Sequence, residues 1–334
     1  MNGEPLLAVE SLTVRFKTEE GVVQAVTDVS FDVFADEVLA IVGESGSGKS
    51  VTAMSILGLH GRSANISGSI RLDGRELLGL REREWREVRG RSIAMIFQDP
   101  MTSLNPVFTI GDQIVEAIRT HNGDVTKQHA WNRARELLDL VGVPEAGRRV
   151  RQYPHECSGG MRQRAMIAMA IANDPKLLIA DEPTTALDVT IQAQVMEVLH
   201  DARRATGAAM LLITHDLGLV AGSADRVQVM YGGRMFERGS IDEIFYGSRN
   251  PYTIGLLQSI PRLDTRTEQR LEPIRGAPPS LLHPLPGCPF GPRCRYAIDR
   301  CLVEVPDLHE VGPNHLSRCH RAEEIDLFST VEVT

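Results

Sequence analysis

No stretch of about 18 consecutive apolar residues occurs anywhere in this sequence, which excludes a membrane-spanning helix of its own. Nor does the start carry the cationic, apolar and small-residue succession of a signal peptide. These two absences predict a soluble, intracellular chain, and any work at a membrane would then go through docking to other subunits. Positive charge is not in excess either. With 36 Lys and Arg against 44 Asp and Glu, the net charge of −8 argues against nucleic acid as the main partner. Cysteine is scarce outside one place: of five, four fall between Cys288 and Cys319, and a disulfide framework is not expected in a reducing compartment. What is present in quantity is apolar material, 42% of 334 residues, enough for a core and long enough to suggest two domains.

The densest chemical signal is GESGSGKS, Gly43 to Ser50, set between a strand-like run (Val38 to Val42) and a helix expected to open at Lys49. It matches the G-x-x-x-x-G-K-[ST] phosphate-binding loop. Gly43, Gly46 and Gly48 let the backbone turn N–H groups inward, and the helix N-terminus adds the positive end of its dipole. Lys49 can reach β- and γ-phosphates, and the Ser50 hydroxyl can bind Mg²⁺.

The rest of the chain arranges itself around that unit. Residues 7 to 33 alternate in short apolar and polar runs, as antiparallel strands do. IAMIFQDP (Ile93 to Pro100) reads as a buried strand ending at Gln98, with the proline as its stop. Residues 107 to 147 carry helical periodicity and look like an inserted helical lobe. KLLIADEP (Lys176 to Pro183) and AAMLLITHD (Ala208 to Asp216) are continuous apolar runs of strand length, suited to parallel strands covered on both faces. Their polar ends present Asp181, Glu182 and His215 where an α/β sheet places its ligand. Asp181 suits the coordination shell of Mg²⁺, and Glu182 can polarise an attacking water.

Six motifs stand in one order: the phosphate loop, Gln98 after a strand, CSGGMRQR at 157–164, LLIADEP at 177–183, ALD at 186–188 and THD at 214–216. In this order they resemble the ATP-binding-cassette (ABC) ATPases. QDPMTSLNP (98–106), SGGMRQR, NPYTIGLL and GCPFGPRCRYAIDRC sharpen the resemblance to the ATPases of dipeptide, oligopeptide and nickel importers. The resemblance implies an α/β fold: an ABC-type nucleotide-binding domain over residues 6–250, with a phosphate-loop core sheet, an antiparallel β subdomain and a helical subdomain over about 100–170. A small Cys-rich, metal-stapled C-terminal domain over 251–334 would follow.

The same resemblance assigns roles. ATP would be held by Gly43, Ser45, Gly46, Ser47, Gly48, Lys49, Ser50 and Val51, with Phe16 stacking on adenine; for Phe16 the alternative is an ordinary core aromatic. Mg²⁺ would lie on Ser50, Gln98 and Asp181. Glu182, His215 and Gln98 would serve catalysis, His215 orienting water or meeting the γ-phosphate and Gln98 sensing metal and nucleotide. Ser158, Gly159 and Gly160 open a helix and suit an anion, which the resemblance makes the ATP of an opposite subunit, with Asp188 at the shared interface. The signature departs from its common form at Met161 and at Cys157, where a larger apolar residue is usual. Arg162, Gln163 and Arg164 would continue that helix as a polar face.

The tail begins near Asn250. A short helix is expected over TIGLLQSIPRL, then an extended connector rich in Pro and Gly. Cys288, Cys294, Cys301 and Cys319 follow, with five, six and seventeen residues between them. Four thiols in a segment with too little apolar content for its own core suggest a metal-stapled module. The spacing fits neither a paired C-x-x-C zinc site nor a ferredoxin run, so zinc, iron–sulfur and plain structural cysteines all stay open on chemistry alone. The resemblance favours a [4Fe–4S] cluster. Under the zinc alternative His320 could serve as a ligand, and Cys157 is not counted in either set.

The function this implies is the ATP-hydrolysing subunit of an importer for dipeptides or oligopeptides, peripheral on the cytoplasmic side of the inner membrane. Its partners would be two transmembrane permease subunits, a second homologous ABC ATPase, expected to be a different chain, and, indirectly, an extracytoplasmic binding protein. Nickel chelates or glutathione-like substrates are alternatives. A soluble cassette of translation or DNA repair is disfavoured because no tandem cassette or heptad array is present. A redox enzyme built on the cysteines is weakened by the lack of a flavin or nicotinamide fingerprint.

Overall fold

The computed structural model describes residues 3–61, 63–99, 103–185, 188–260 and 274–325, so Pro100, Ala186, Leu187 and the first part of the tail connector lie outside the described residues. The chain divides into two compact units, one formed mainly by residues 79–213 and the other by 5–32, 39–78 and 214–334.

In the first unit the continuous apolar runs become parallel strands. Ile93–Ile96 pairs in parallel with Leu177–Asp181, which pairs in parallel with Ala209–Thr214. Every residue of the last two strands is buried, as strands covered on both faces must be. The first of these strands is shorter than its sequence suggests. It ends at Ile96, and Phe97 and Gln98 are exposed, Phe97 by 39%, because the ladder with the neighbouring strand stops at the Ile96–Ala180 pair.

The helical periodicity resolves into Ile110–His121 and Lys127–Leu140, each started by a threonine whose hydroxyl accepts a backbone N–H of the first turn. Both pack on the helix Gly159–Ala170, which packs in turn on Val189–Thr206. Among the described residues no helix is long and apolar enough to cross a membrane.

The second unit holds two sheets. One orders its strands as Gly21–Val33, Leu7–Thr18, Ala64–Leu72 and Arg75–Glu76, with Leu7–Thr18 antiparallel to Ala64–Leu72. The sequence reads as short runs here because the strands are long but interrupted: the register shifts between Glu10 and Thr13, and Ser11 and Asp28 sit at φ 46° and 52°. In the other sheet Val38–Val42 runs parallel to Arg226–Tyr231, which turns through Gly232 and Gly233 into the antiparallel strand Arg234–Ser240.

The tail then extends this sheet. His315–Ser317 pairs with Arg234–Ser240, and His309–Gly312 pairs with His315–Ser317. The sequence gives the tail too little apolar content for a core of its own, and the structure shows which core it joins. Phe290, Cys288, Cys294, Tyr296, Cys319 and Ile325 pack into one apolar cluster with Tyr231, Phe236 and Tyr252. A segment too poor in apolar residues to fold alone borrows the core of the sheet beside it. The short helix expected near Asn250 runs from Pro251 to Gln258, with the Asn250 side chain as its cap.

Candidate nucleotide site and thiol cavity

The phosphate loop lies in the second unit, between the fully buried strand Val38–Val42 and the helix Lys49–Ile56. Its glycines are required by position. Gly48 caps the helix at φ 102°, and a Cβ there would come 2.6 Å from the Ala25 carbonyl oxygen; on Gly43, at φ 155°, it would come 2.1 Å from that of Met230. Ser45 and Gly46 are exposed, whereas Ser47 is buried and its Oγ has no hydrogen-bond partner among the described residues. Lys49 is only 4% exposed, and its Nζ donates to the carbonyls of Gly43 at 2.7 Å and Glu44 at 3.0 Å. An ammonium held by two loop carbonyls, beside a buried hydroxyl lacking a partner, is what a polyanion would engage.

Behind the loop, Ser50 is half-buried and the Val51 carbonyl accepts His60 Nε2 at 3.0 Å. Phe16 is partly buried and stands edge-on to the His60 ring, with centroids 5.4 Å apart. Burial holds the His60 imidazole below its ordinary pKa. His215 is exposed, directly after Thr214, whose hydroxyl accepts the Asp216 N–H at 3.0 Å.

The first unit holds the carboxylates. Asp181 ends its strand 5% exposed, and Glu182 leaves the strand at φ 47°, a left-handed conformation that a non-glycine residue adopts at a cost. Its backbone is fixed there by an N–H bond to the Ile213 carbonyl at 2.8 Å. Glu182 Oε2 accepts from Gln98 Nε2 at 3.2 Å and from Thr185 Oγ1 at 2.9 Å. Two residues far apart in sequence thus converge on one carboxylate oxygen.

Ser158 caps the helix Gly159–Ala170 by accepting the Met161 N–H, and Asp188 caps Val189–Thr206 by accepting that of Ile191. These helices touch at their starts: a Cβ on Gly160 would lie 3.7 Å from Ile191 Cγ2. Sequence reasoning missed Gln163. It is not part of a polar face but 1% exposed, donating to the Pro183 carbonyl at 2.8 Å and so tying this helix to the residue after Glu182. Arg164 likewise turns onto the protein, Nη1 donating to the Val141 carbonyl at 2.6 Å. Cys157 is buried in this unit, with its thiol pushed up in pKa by burial.

In the second unit Cys288, Cys294, Cys301 and Cys319 line a single small cavity together with Arg318, His320 and Arg321. Burial pushes the thiol of Cys294 up to about 11 and that of Cys319 to about 12, and raises Cys288 as well. Arg318 is 7% exposed, bonded to the carbonyls of Met235 and Pro306, and burial lowers its pKa. Among the described residues no group of three or more His, Cys, Asp or Glu side chains is assembled to hold a metal ion, so a metal-stapled domain is not what this structure displays.

Residues 26–185 match the family model described as ABC transporter, and residues 236–301 that of the oligopeptide/dipeptide transporter C-terminal region. The oligopeptide transport ATP-binding protein OppD of Haemophilus influenzae is 51% identical over 94% of this chain and 97% of its own length. The chain belongs to the oligopeptide and dipeptide branch of the ABC transporter family.

Other members of the branch agree. The dipeptide transport ATP-binding protein DppD of Lactococcus lactis is 49% identical over 95% of this chain and 91% of its length. OppD of Mycobacterium bovis is 54% identical over 96% of this chain, which spans only 52% of that relative. Among solved structures, a dimeric ATP-binding cassette in a post-hydrolysis state with ADP and Pi covers 70% of this chain at 26% identity and a TM-score of 0.63. A component of an ABC transporter complex from Clostridium perfringens covers 73% at 27% identity and a TM-score of 0.61. The ABC ATPase fold is thus shared beyond the close relatives.

Proposed function

We propose that this chain is the ATP-hydrolysing subunit of a membrane importer for dipeptides or oligopeptides. The observation that carries the reading is the carboxylate of Glu182, held by Gln98 and Thr185 at the end of a buried strand in a chain that also carries a built phosphate loop. A fixed carboxylate is what a water-activating base needs, since its proton must leave along one direction.

ATP lies with its phosphates on the loop from Gly43 to Val51 and its adenine against Phe16. Lys49 exchanges its loop carbonyls for phosphate oxygens, and the Ser47 hydroxyl, which has no partner among the described residues, gains one. Mg²⁺ chemistry suits the donors present: the Ser50 hydroxyl, the buried Asp181 carboxylate and the Gln98 amide are hard oxygen ligands. Bound there, the ion would neutralise charge on the phosphates. Glu182 takes the proton of the attacking water, and His215 orients the water or contacts the γ-phosphate. Ser158, Gly159 and Gly160 offer their helix start to the nucleotide of a second, homologous ATPase, with Asp188 beside it. Closure of that pair drives two permease subunits at the cytoplasmic face of the membrane to change access, and hydrolysis resets them.

The four cysteines take a [4Fe–4S] cluster in this proposal. Support comes from the donor set: four sulfurs line one cavity, and a buried guanidinium beside them favours an anionic occupant. When bound, the cluster would cross-link the tail where the sequence supplies no disulfide.

The test is to purify the chain from gently solubilised membranes. Recovery of two multi-span proteins and a second ATPase, with peptide-stimulated ATP hydrolysis abolished by Lys49→Ala, is the expected result. Recovery of soluble partners alone would keep the ATPase and overturn transport.

A further inference from the structure

The phosphate loop is gripped from the tail, and the grip ends on one residue. Arg293 Nη1 donates to Glu44 Oε2 at 2.6 Å and Nη2 donates to Oε1 at 3.0 Å. In this two-pronged ion pair the arginine side chain is 6% exposed and the carboxylate 27%. Three further bonds fix the guanidinium: Nη1 to Tyr231 Oη at 3.0 Å, Nε to the Arg275 carbonyl at 2.8 Å, and Nη2 to the Ile274 carbonyl at 3.4 Å. A planar fork held on all sides transmits position in a way that a mobile surface ion pair does not.

Glu44 is the second residue of the phosphate loop and a crossing point of its bonds. Its N–H donates to Tyr252 Oη at 2.9 Å, and its carbonyl accepts from Lys49 Nζ at 3.0 Å and from the Ser47 N–H at 3.2 Å. Any shift of Glu44 therefore shifts the resting place of the lysine and the turn that carries Ser47. At the other end, Arg293 closes the short turn Gly291–Arg293. That turn is bracketed by two cysteines of the thiol cavity: the Gly291 N–H donates to the Cys288 carbonyl at 2.9 Å, and the Cys294 N–H to the Gly291 carbonyl at 3.2 Å. One face of this seven-residue segment, Cys288 to Cys294, lines the cavity and its arginine holds the loop.

We propose that Arg293 is a positioning residue for nucleotide binding, which sets the phosphate loop through Glu44 and makes its affinity for ATP answer to the state of the thiol cavity. This rests on the reading of the loop as the ATP site. It concerns this chain's own residues and holds whatever the cavity contains.

The test measures Mg·ATP binding to the full chain, and turnover once it is assembled with its partner subunits. Arg293→Gln and Glu44→Gln should each raise the KM for ATP about tenfold with kcat within about twofold, the split expected when a ground-state binding arrangement is lost. The double variant should be no worse than either single one, since both remove one interaction. Arg293→Lys should recover only part, because an ammonium cannot make both prongs. Cys294→Ser should raise the KM in the otherwise natural chain and add nothing in the Arg293→Gln chain. Glu44→Gln leaves every tail residue in place, so the test survives a folding defect in Arg293→Gln. An unchanged KM in Glu44→Gln, or fully additive effects in either pair, would overturn the proposal. A natural chain that fails to bind Mg·ATP, or a Lys49→Ala chain that binds it equally well, would overturn instead the reading on which it rests.

Discussion

Gln98 Nε2 donates to Glu182 Oε2 at 3.2 Å, with Thr185 Oγ1 donating to the same oxygen at 2.9 Å. The carboxylate is thereby fixed from two sides, by a residue just past a neighbouring strand and by one three positions downstream. Replacing Glu182 with Gln keeps the shape, and its amide oxygen can still accept from Thr185, but the base is gone. Turnover should fall by about 10²- to 10⁴-fold while Mg·ATP binding stays within about threefold. Rapid-quench hydrolysis beside equilibrium nucleotide binding checks both. Near-normal turnover would move the general base elsewhere.

Gln163 gives a prediction of a different kind. Its buried amide satisfies the Pro183 carbonyl at 2.8 Å, one residue after Glu182. Leucine fills a similar volume but leaves that carbonyl without this donor, which costs about 1–3 kcal/mol. Urea unfolding should show the loss. Because the freed carbonyl belongs to the turn that sets Glu182, kcat should fall by more than KM rises. Gln163→Leu with natural stability would mean that the carbonyl finds another donor.

Much of this was legible beforehand, and the reasons differ by residue. The phosphate loop, the strands ending at Asp181 and Thr214 and the helix opened by Ser158 carry signals that are local in sequence: glycine spacing, unbroken apolar runs and a capping hydroxyl. What the sequence hid is long-range. Nothing near Gln163 says that its side chain turns inward, because a helix N-terminus with three polar residues reads as a solvated face. Nothing near Glu44 names Arg293 as its partner 249 positions away. The strand pairing of the tail was equally silent: HLS at 315–317 has no strand signature, and its place comes from the open edge of Arg234–Ser240. The strand at Ile93 ended early for the same reason, since a neighbour's length decides where a ladder stops.

Two loop glycines separate conformation from contact. Gly46 sits at φ 77° with nothing within 4 Å of where a Cβ would stand, whereas at Gly48, φ 102°, the Cβ would meet the Ala25 carbonyl oxygen at 2.6 Å. Gly46→Ala should therefore cost only the backbone strain, about 1–2 kcal/mol, and remain able to bind nucleotide. Gly48→Ala must also push a strand backbone aside, so it should unfold earlier on heating and lose most Mg·ATP binding. Equal melting temperatures for the two would show that the loop can relax around Gly48.

The thiol cavity closes the set, because its chemistry carries a sign. Burial holds Cys294 at about 11 and Cys319 at about 12, so in the metal-free chain both are protonated at neutral pH. Metal and cluster ligation need thiolates, so loading must release protons, and occupancy should rise as pH increases from about 6 to 8. Anaerobic reconstitution with iron and sulfide should give a sulfur-to-iron charge-transfer absorption that grows over that range and is lost in Cys319→Ala. Removing the iron with a chelator should lower the melting temperature, since ligand binding to the folded state is what raises it. Zinc retention with no iron would replace the cluster by the zinc alternative, and then His320→Ala, rather than Cys301→Ala alone, becomes the informative variant. Five thiols, those of the cavity and Cys157, that react with a thiol reagent in stoichiometric amount on denaturation, in a chain that takes up neither metal, would leave the cavity as apolar packing and withdraw the cluster from the proposal.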